Sequence, residues 1–365
     1  MNRRDFSVGI ASLGMLALGS EVNAQGRRVF RCGNPNNVLD AQQAFLTCGR
    51  HPKLRYFEQE GVDLEYVNMS SIVQAMLAIS TNQADTGSLA PALFLPAVAK
   101  EPALGLIAAY NWLPRNANVI IVNADSPIRT IADTVGKRIG IRSQGDGGIT
   151  QLQLMYSEIG APTGDINFVP VGDVGLAAGA LKSNKVDAFV TFDTVGGRIE
   201  ALGFPVRYLP LPPRYARTGS GWFGFRKSDL KDNKKQVAAF CRAAAKSTLF
   251  AYTNLTQAIH IHWQLYPDSK PKGKSEDEAR KEIETILGQR KNNWIRWPDD
   301  TEQRMGASTA AEWKGMIETT ARSTNNPQLA QQVGDVGNIF TNELVDEINA
   351  FDRAAVIKQA QELRV

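Results

Sequence analysis

Two stretches of this chain follow one local plan 102 residues apart, and that repeat constrains the fold more than any single motif. Ala78-Ile79-Ser80-Thr81-Asn82-Gln83-Ala84-Asp85 and Ala180-Leu181-Lys182-Ser183-Asn184-Lys185-Val186-Asp187 share a helix end, an Asn-containing turn and an Asp entering a strand. The spacing is much longer than a solenoid period, so two similar lobes are expected and not a stacked array. From residue 28 to about 225, short apolar runs alternate with amphipathic stretches, the pattern of an α/β fold with strands covered by helices. Strands are predicted at Arg28–Cys32, Leu64–Val67, Leu104–Ala109, Val119–Val122, Arg138–Ile141, Asn167–Val169, Ala188–Thr191 and Val206–Leu209. Asp40 and the Ser70-Ser71 pair read as helix N-caps.

After Trp222-Phe223-Gly224-Phe225 the character turns helical. Gln236–Asn254 carries Val237, Phe240, Ala244, Leu249 and Phe250 close to helical spacing. Residues 275–290, 301–321, 325–333 and 340–363 are read the same way, with Pro267–Lys274 as a solvated polar loop.

The N-terminus reads as an address. Arg3-Arg4-Asp5-Phe6, an apolar stretch from Val8 to Leu18 and then Val22-Asn23-Ala24 give the charged, apolar, small-residue order of a cleavable signal over residues 1–24. The apolar run is shorter than the roughly 20 residues that span a bilayer, and Gly9 and Gly14 interrupt it. The paired arginines suit the twin-arginine route and also ordinary export signals, so the route stays open. Either way the expected address is the periplasm. No Cys follows the expected cut, so a lipid anchor is not expected.

Losing residues 1–24 removes two arginines and two acids and leaves the net charge at +4, spread without runs of five or six like charges. Nucleic-acid binding calls for a clustered basic face, so none is expected. Cys32 and Cys48 lie 16 residues apart and are within reach of a disulfide in an oxidising compartment, against the alternative that these and Cys241 are three buried thiols.

Catalytic constellations are sparse. On a helix, His260 and His262 point about 200° apart, which separates them as metal ligands. There is no Gly-x-Ser-x-Gly and no His-Glu-x-x-His, and the Ser-x-x-Lys matches at Ser228 and Ser269 lack partner motifs. Gly145-Asp146-Gly147-Gly148 lacks nucleotide-loop spacing, but a helix starting there would present free N–H groups to a small anion. No cofactor or metal is expected.

Five segments in order then resemble one family. Arg55-Tyr56-Phe57-Glu58-Gln59-Glu60-Gly61-Val62-Asp63-Leu64-Glu65, Asn82–Gly87, Ile131–Gly140, Gly160–Pro170 and Lys185–Phe189 are similar to segments of substrate-binding proteins of ABC importers. The nearest group binds nitrate, sulfonates, taurine and thiamine precursors. The resemblance covers about residues 28–225 and departs at Asn82, where the family has Gly.

It implies a type II periplasmic-binding fold, with two α/β lobes, a hinge and a helical C-terminal part. Lobe one would comprise residues 28–119 plus 221–365 and lobe two 120–220. It implies capture of a small-molecule solute by a monomer, and delivery to an ABC permease and its ATPase, with lobe closure as the signal. Loops at strand ends would supply the ligand contacts. Those are Asn34, Pro35, Ser88, Tyr110 and Trp112 from the first lobe, and Ser143, Gln144, Gly147, Thr150, Phe192 and Asp193 from the second. Trp222, at the return crossover, would close over the ligand. Core packing is the competing reading for Tyr110 and Trp222, and a helix N-cap for Asp193. The loop Arg142–Gly148 and the aromatics together suggest an organic anion, an aromatic carboxylate or sulfonate. Two other classes stay open: a thiamine-pyrimidine binding or synthesis protein, and a periplasmic ligand sensor. The dispersed cysteines and the signal argue against a synthase.

Overall fold

The computed structural model describes residues 26–36, 38–144 and 146–365, so the expected export signal lies outside the described residues. The described residues form ten strands arranged in two five-stranded sheets. They are β1 (Arg28–Asn34), β2 (Val62–Asn68), β3 (Thr86–Leu89), β4 (Leu106–Leu113), β5 (Asn118–Asn123), β6 (Arg138–Ile141), β7 (Asn167–Pro170), β8 (Ala188–Phe192), β9 (Val206–Tyr208) and β10 (Gly221–Arg226). The first sheet runs β2-β1-β3-β10-β4 and the second β7-β6-β8-β5-β9. Each has three parallel strands, followed by one antiparallel strand that arrives from the other lobe. The chain therefore crosses between the lobes twice, from β4 to β5 and from β9 to β10.

The sequence repeat is a real structural repeat with a definite cause. Asn82 and Asn184 both have positive φ, 62° and 54°, a conformation that Asn tolerates better than most residues. In each copy the next N–H reaches back to the helix, Gln83 to the Ala78 carbonyl at 2.8 Å and Lys185 to that of Ala180 at 2.9 Å, which stops the helices Ile72–Ser80 and Val174–Lys182. The following Asp then pairs with an Arg on the neighbouring strand. Arg31 donates its backbone N–H and its Nε to Asp85, both at 2.9 Å. Arg138 does the same to Asp187, at 2.8 and 3.0 Å. Hydrogen bonds from Arg138 hold the Asp187 carboxyl below its ordinary pKa. The Asn and the Asp thus set the helix end and the strand register in both lobes.

Apolar clusters flank both sheets. The helix Lys234–Thr253 lies against the first sheet, where Phe240 stacks on Phe30 at 4.7 Å and meets Phe57, Phe223 and Phe225. Full burial of one such ring is worth about 1.5–3 kcal/mol. The helix Glu276–Asn293 belongs to neither lobe alone. Its Ala279, Ile286 and Leu287 join the core behind the first sheet, while its backbone at Ile286 lies against Gly197 of the helix Asp193–Ala201. A Cβ at Gly197 would come within 2.6 Å of the Ile286 carbonyl oxygen.

Several expectations are corrected. Strand β4 starts after Gly105, at φ 61°, and continues to Leu113, so Tyr110 and Trp112 lie within it and not beyond it. Residues 301–309 are not helical, because Gly306 bridges to Asn111 of β4 and has φ 84°. The helix there begins at Ala310, behind a capping box of Thr309 and Glu312. The 325–333 helix shortens to Leu329–Val333 after Asn325, at φ 50°, and the 340–363 helix splits into Val345–Ile348 and Arg353–Glu362, the latter capped by Asp352. Cys32, Cys48 and Cys241 are all free and buried, with the Cys48 thiol facing the Ser247 carbonyl at 3.4 Å.

His262 sits fully buried on the helix Leu255–Leu265, its Nδ1 2.8 Å from Thr47 Oγ1 and its Nε2 buried without a partner among the described residues. Burial pushes its pKa down to about 4. Because the folded-state pKa lies below the unfolded value, the unfolded chain binds the extra proton. This site's stabilisation is therefore complete above about pH 6.5, falls as pH drops toward about 4 and levels off below that, by on the order of 3 kcal/mol. Urea midpoints measured between pH 7 and pH 4.5 should fall more steeply for the wild type than for His262→Gln, and equal slopes would contradict the assignment.

Candidate functional site

A cavity of about 490 Å³ lies between the two sheets. The turn after β1 and the chain after β3 open at the same sheet edge because those strands are parallel. Asn34 at the end of β1, Pro35 just beyond it and Ser88 near the end of β3 reach the cavity there. Trp112 from β4 and Phe223 from β10 form its aromatic wall. Phe45 stacks on Trp112 at 5.1 Å, and Trp112 on Phe223 at 6.1 Å. From the second lobe come Gly147, Gln151 and Phe192, and the crossovers add Asn116–Asn118 and Thr218–Ser220. Met316, Thr319 and Thr320 of the helix Ala310–Ser323 line it too.

The turn at Asn34 is held from within. Its side-chain amide donates to Asn36 and Val38 carbonyls and to Asn68 Oδ1, at 2.9–3.1 Å. In the glycine-rich loop, Asp146 turns inward as the N-cap of the helix Gly147–Glu158, accepting from the Gly148 N–H at 2.8 Å and from Arg142 Nε at 2.7 Å. That pairing turns Arg142 onto its own loop, with its guanidinium 5.4 Å from the centre of the Phe192 ring. Ser143 and Gln144 stay exposed and, like Thr150, lie outside the lining, whereas Gln151, one residue on, faces it.

The other expected contacts divide. Trp222 is buried on the opposite side of β10 from Phe223, as strand alternation requires. Its Nε1–H donates to Ser308 Oγ at 2.7 Å, and its ring lies 4.8 Å from Trp313. Tyr110, two residues deeper in β4 than Trp112, is sealed by Phe223 and by the Gly306 backbone. Both therefore pack in the core. Asp193 is the first residue of its helix, with Phe192 at the cap position. It is 0 % exposed, and Arg290 grips it from the helix Glu276–Asn293, Nε to Oδ2 at 2.8 Å and Nη2 to Oδ1 at 2.7 Å. Asn293 adds a third bond at 2.8 Å.

Arg290 lines the cavity and was missed by sequence reasoning. Gly288-Gln289-Arg290-Lys291 gives no hint that Arg290 faces inward while Lys291 lies over the Tyr252 ring. The described lining contains no Asp, Glu, Lys or His. Burial drives the Cys32 thiol up to about 12 and raises Tyr66 and Tyr215, so none of these serves as a base near neutral pH. No group of three or more His, Cys, Asp or Glu among the described residues is placed to hold a metal. At the cleft rim the lobes touch through Arg198 and Asp40 at 3.6 Å and through Arg322 and Ser157 at 3.4 Å. Such exposed contacts are individually weak.

Residues 52–258 match the family model described as NMT1/THI5 like. No curated protein sequence matches the chain significantly. Solved structures match over most of its length. The periplasmic aliphatic sulphonate binding protein SsuA from Escherichia coli has 18 % identity and a TM-score of 0.61, covering 85 % of this chain and 97 % of that one. A putative sulfonate ABC transporter, periplasmic sulfonate-binding protein SsuA from Methylobacillus flagellatus KT, has 16 % identity and a TM-score of 0.58, with 92 % and 95 % covered. The periplasmic nitrate-binding protein NrtA from Synechocystis PCC 6803 has 12 % identity and a TM-score of 0.56, with 92 % and 98 % covered. At these identities the likeness is one of fold, and the fold is that of periplasmic binding proteins.

Proposed function

The chain belongs to the NMT1/THI5-like family, and from that premise we propose that it is the solute-binding component of an ABC importer. In this reading residues 1–24 direct it to the periplasm, where the soluble monomer captures a small organic solute. It closes on the solute and presents it to a membrane permease driven by an ATPase, with no chemical step of its own. The observation that carries the reading is the interlobe cavity, whose walls come from both sheets and both crossovers. Closing such a cavity changes the relation of the lobes, which is the signal a permease can read.

Asn34, Pro35, Ser88, Trp112, Gly147 and Phe192 are the proposed contacts among those expected from the sequence, joined by Gln151 and Phe223. The aromatic wall favours a solute with a planar body. A panel of aromatic carboxylates, aromatic amides, alkanesulfonates, nitrate and pyrimidines tests this by thermal shift. A solute present at a hundred times its Kd should add about 2.7 kcal/mol of stability, and Trp112→Ala should remove the shift. Deleting the coding sequence should then abolish uptake of the radiolabelled solute. Unchanged uptake would refute the import role, and turnover of the solute would turn the reading toward an enzyme.

A further inference from the structure

We infer that Asp193 sets the charge selectivity of the interlobe cavity, so that the cavity takes an uncharged aromatic solute bearing a carbonyl or amide oxygen in preference to the matching carboxylate. The inference rests on the solute-capture reading and concerns the same cavity.

Arg290 is the one charged side chain among the described lining residues. Two of its nitrogens are committed to Asp193, while Nη1 makes no hydrogen bond among the described residues and is not among the buried unpaired atoms. The guanidinium thus keeps a free edge on a side chain that reaches the cavity. A guanidinium gripped on one side by a carboxylate is held in a fixed plane, so this edge is a preoriented donor.

Its charge is already balanced. Asp193 is 0 % exposed and also accepts from Asn293 and from the Thr194 N–H, so it stays in place when a solute enters. Arg142, whose guanidinium lies 5.4 Å from the centre of the cavity-lining Phe192 ring, is balanced by Asp146 through its Nε. A solute carboxylate on Arg290 would put two carboxylates on one guanidinium and leave a net negative charge in the cavity once the lobes close on the solute. Burying an uncompensated charge is costly. An uncharged oxygen accepts the same N–H without that cost, while the ring lies against the aromatic wall at Trp112. The pairing of both arginines is why the anion suggested by the loop at residues 142–148 gives way to an uncharged acceptor.

The test is calorimetry with the matched pairs benzamide and benzoate, and nicotinamide and nicotinate, on the full mature chain. Wild type should bind the amide of a pair more tightly by about tenfold, the ratio that a cost of about 1.4 kcal/mol for burying the acid's charge beside the Asp193–Arg290 pair gives. Asp193→Asn frees the charge of Arg290 and should move the ratio toward the acid by about tenfold or more. The double variant Asp193→Asn/Arg290→Gln, which carries neither charge, should return the preference to the amide. A wild type that prefers the acids overturns the inference, and this needs no variant to fold. An unchanged ratio in folded Asp193→Asn overturns it too, as does the absence of binding by any member of either pair. If another solute of the panel still stabilises the protein, the capture reading survives that failure.

Discussion

Arg290→Ala is expected to destabilise the protein by about 3–5 kcal/mol, the cost of leaving a buried charge without its partner. Asp193 would retain only Asn293 and the Thr194 N–H, and at 0 % exposure it cannot turn to water. The loss follows from the stranded carboxylate and not from the value of the ion pair itself. Replacing both residues in Asp193→Leu/Arg290→Leu should therefore recover most of the stability. Urea unfolding of the single and double variants measures both. A loss below about 1 kcal/mol for Arg290→Ala would mean that Asn293 and the helix N-terminus satisfy Asp193 alone.

Trp222→Ala should cost a comparable amount, about 3–5 kcal/mol, as large-to-small changes at buried aromatics do. The variant leaves a hole beside Trp313 and strands the Ser308 hydroxyl that now accepts from Nε1. The folded fraction should bind solute as the wild type does, because Phe223 and not Trp222 faces the cavity. Small destabilisation together with lost binding would instead return Trp222 to the ligand, the role its place at the crossover first suggested.

What could be read in the sequence, and what could not, has a physical basis. The two-lobe plan was legible because Asn82 and Asn184 carry a local conformation few residues accept, and because the Asp three residues later pairs across the sheet. Strand positions such as Arg138–Ile141 were legible from short apolar runs between turns. The side each strand presents to the cavity was not. Trp222-Phe223-Gly224-Phe225 is apolar throughout because β10 is buried on both faces, so nothing in its pattern tells Trp222 from Phe223. The length of β4 was misjudged for a similar reason, since Tyr110, Asn111 and Trp112 depart from its apolar run without ending the strand. Arg290 was invisible because its role depends on Asp193, 97 residues away, and a helix rich in charge reads as solvated. The glycine-rich loop was recognised, but which of its polar residues turn inward depends on the Asp146 cap.

The exchange of strands between the sheets also fixes an order of assembly. β5–β9 form a contiguous stretch of chain, residues 118–208, that contains every strand of its sheet. The other sheet is different: among the described residues β4 pairs within it only through β10, which is synthesised more than a hundred residues later. A nascent chain that ends before residue 221 thus holds β4 as a strand with no neighbour, and a chain with such unpaired edges is prone to aggregate. The lobe that comes second in the sequence is the one equipped to fold first, while the lobe at the N-terminus waits for the chain to return.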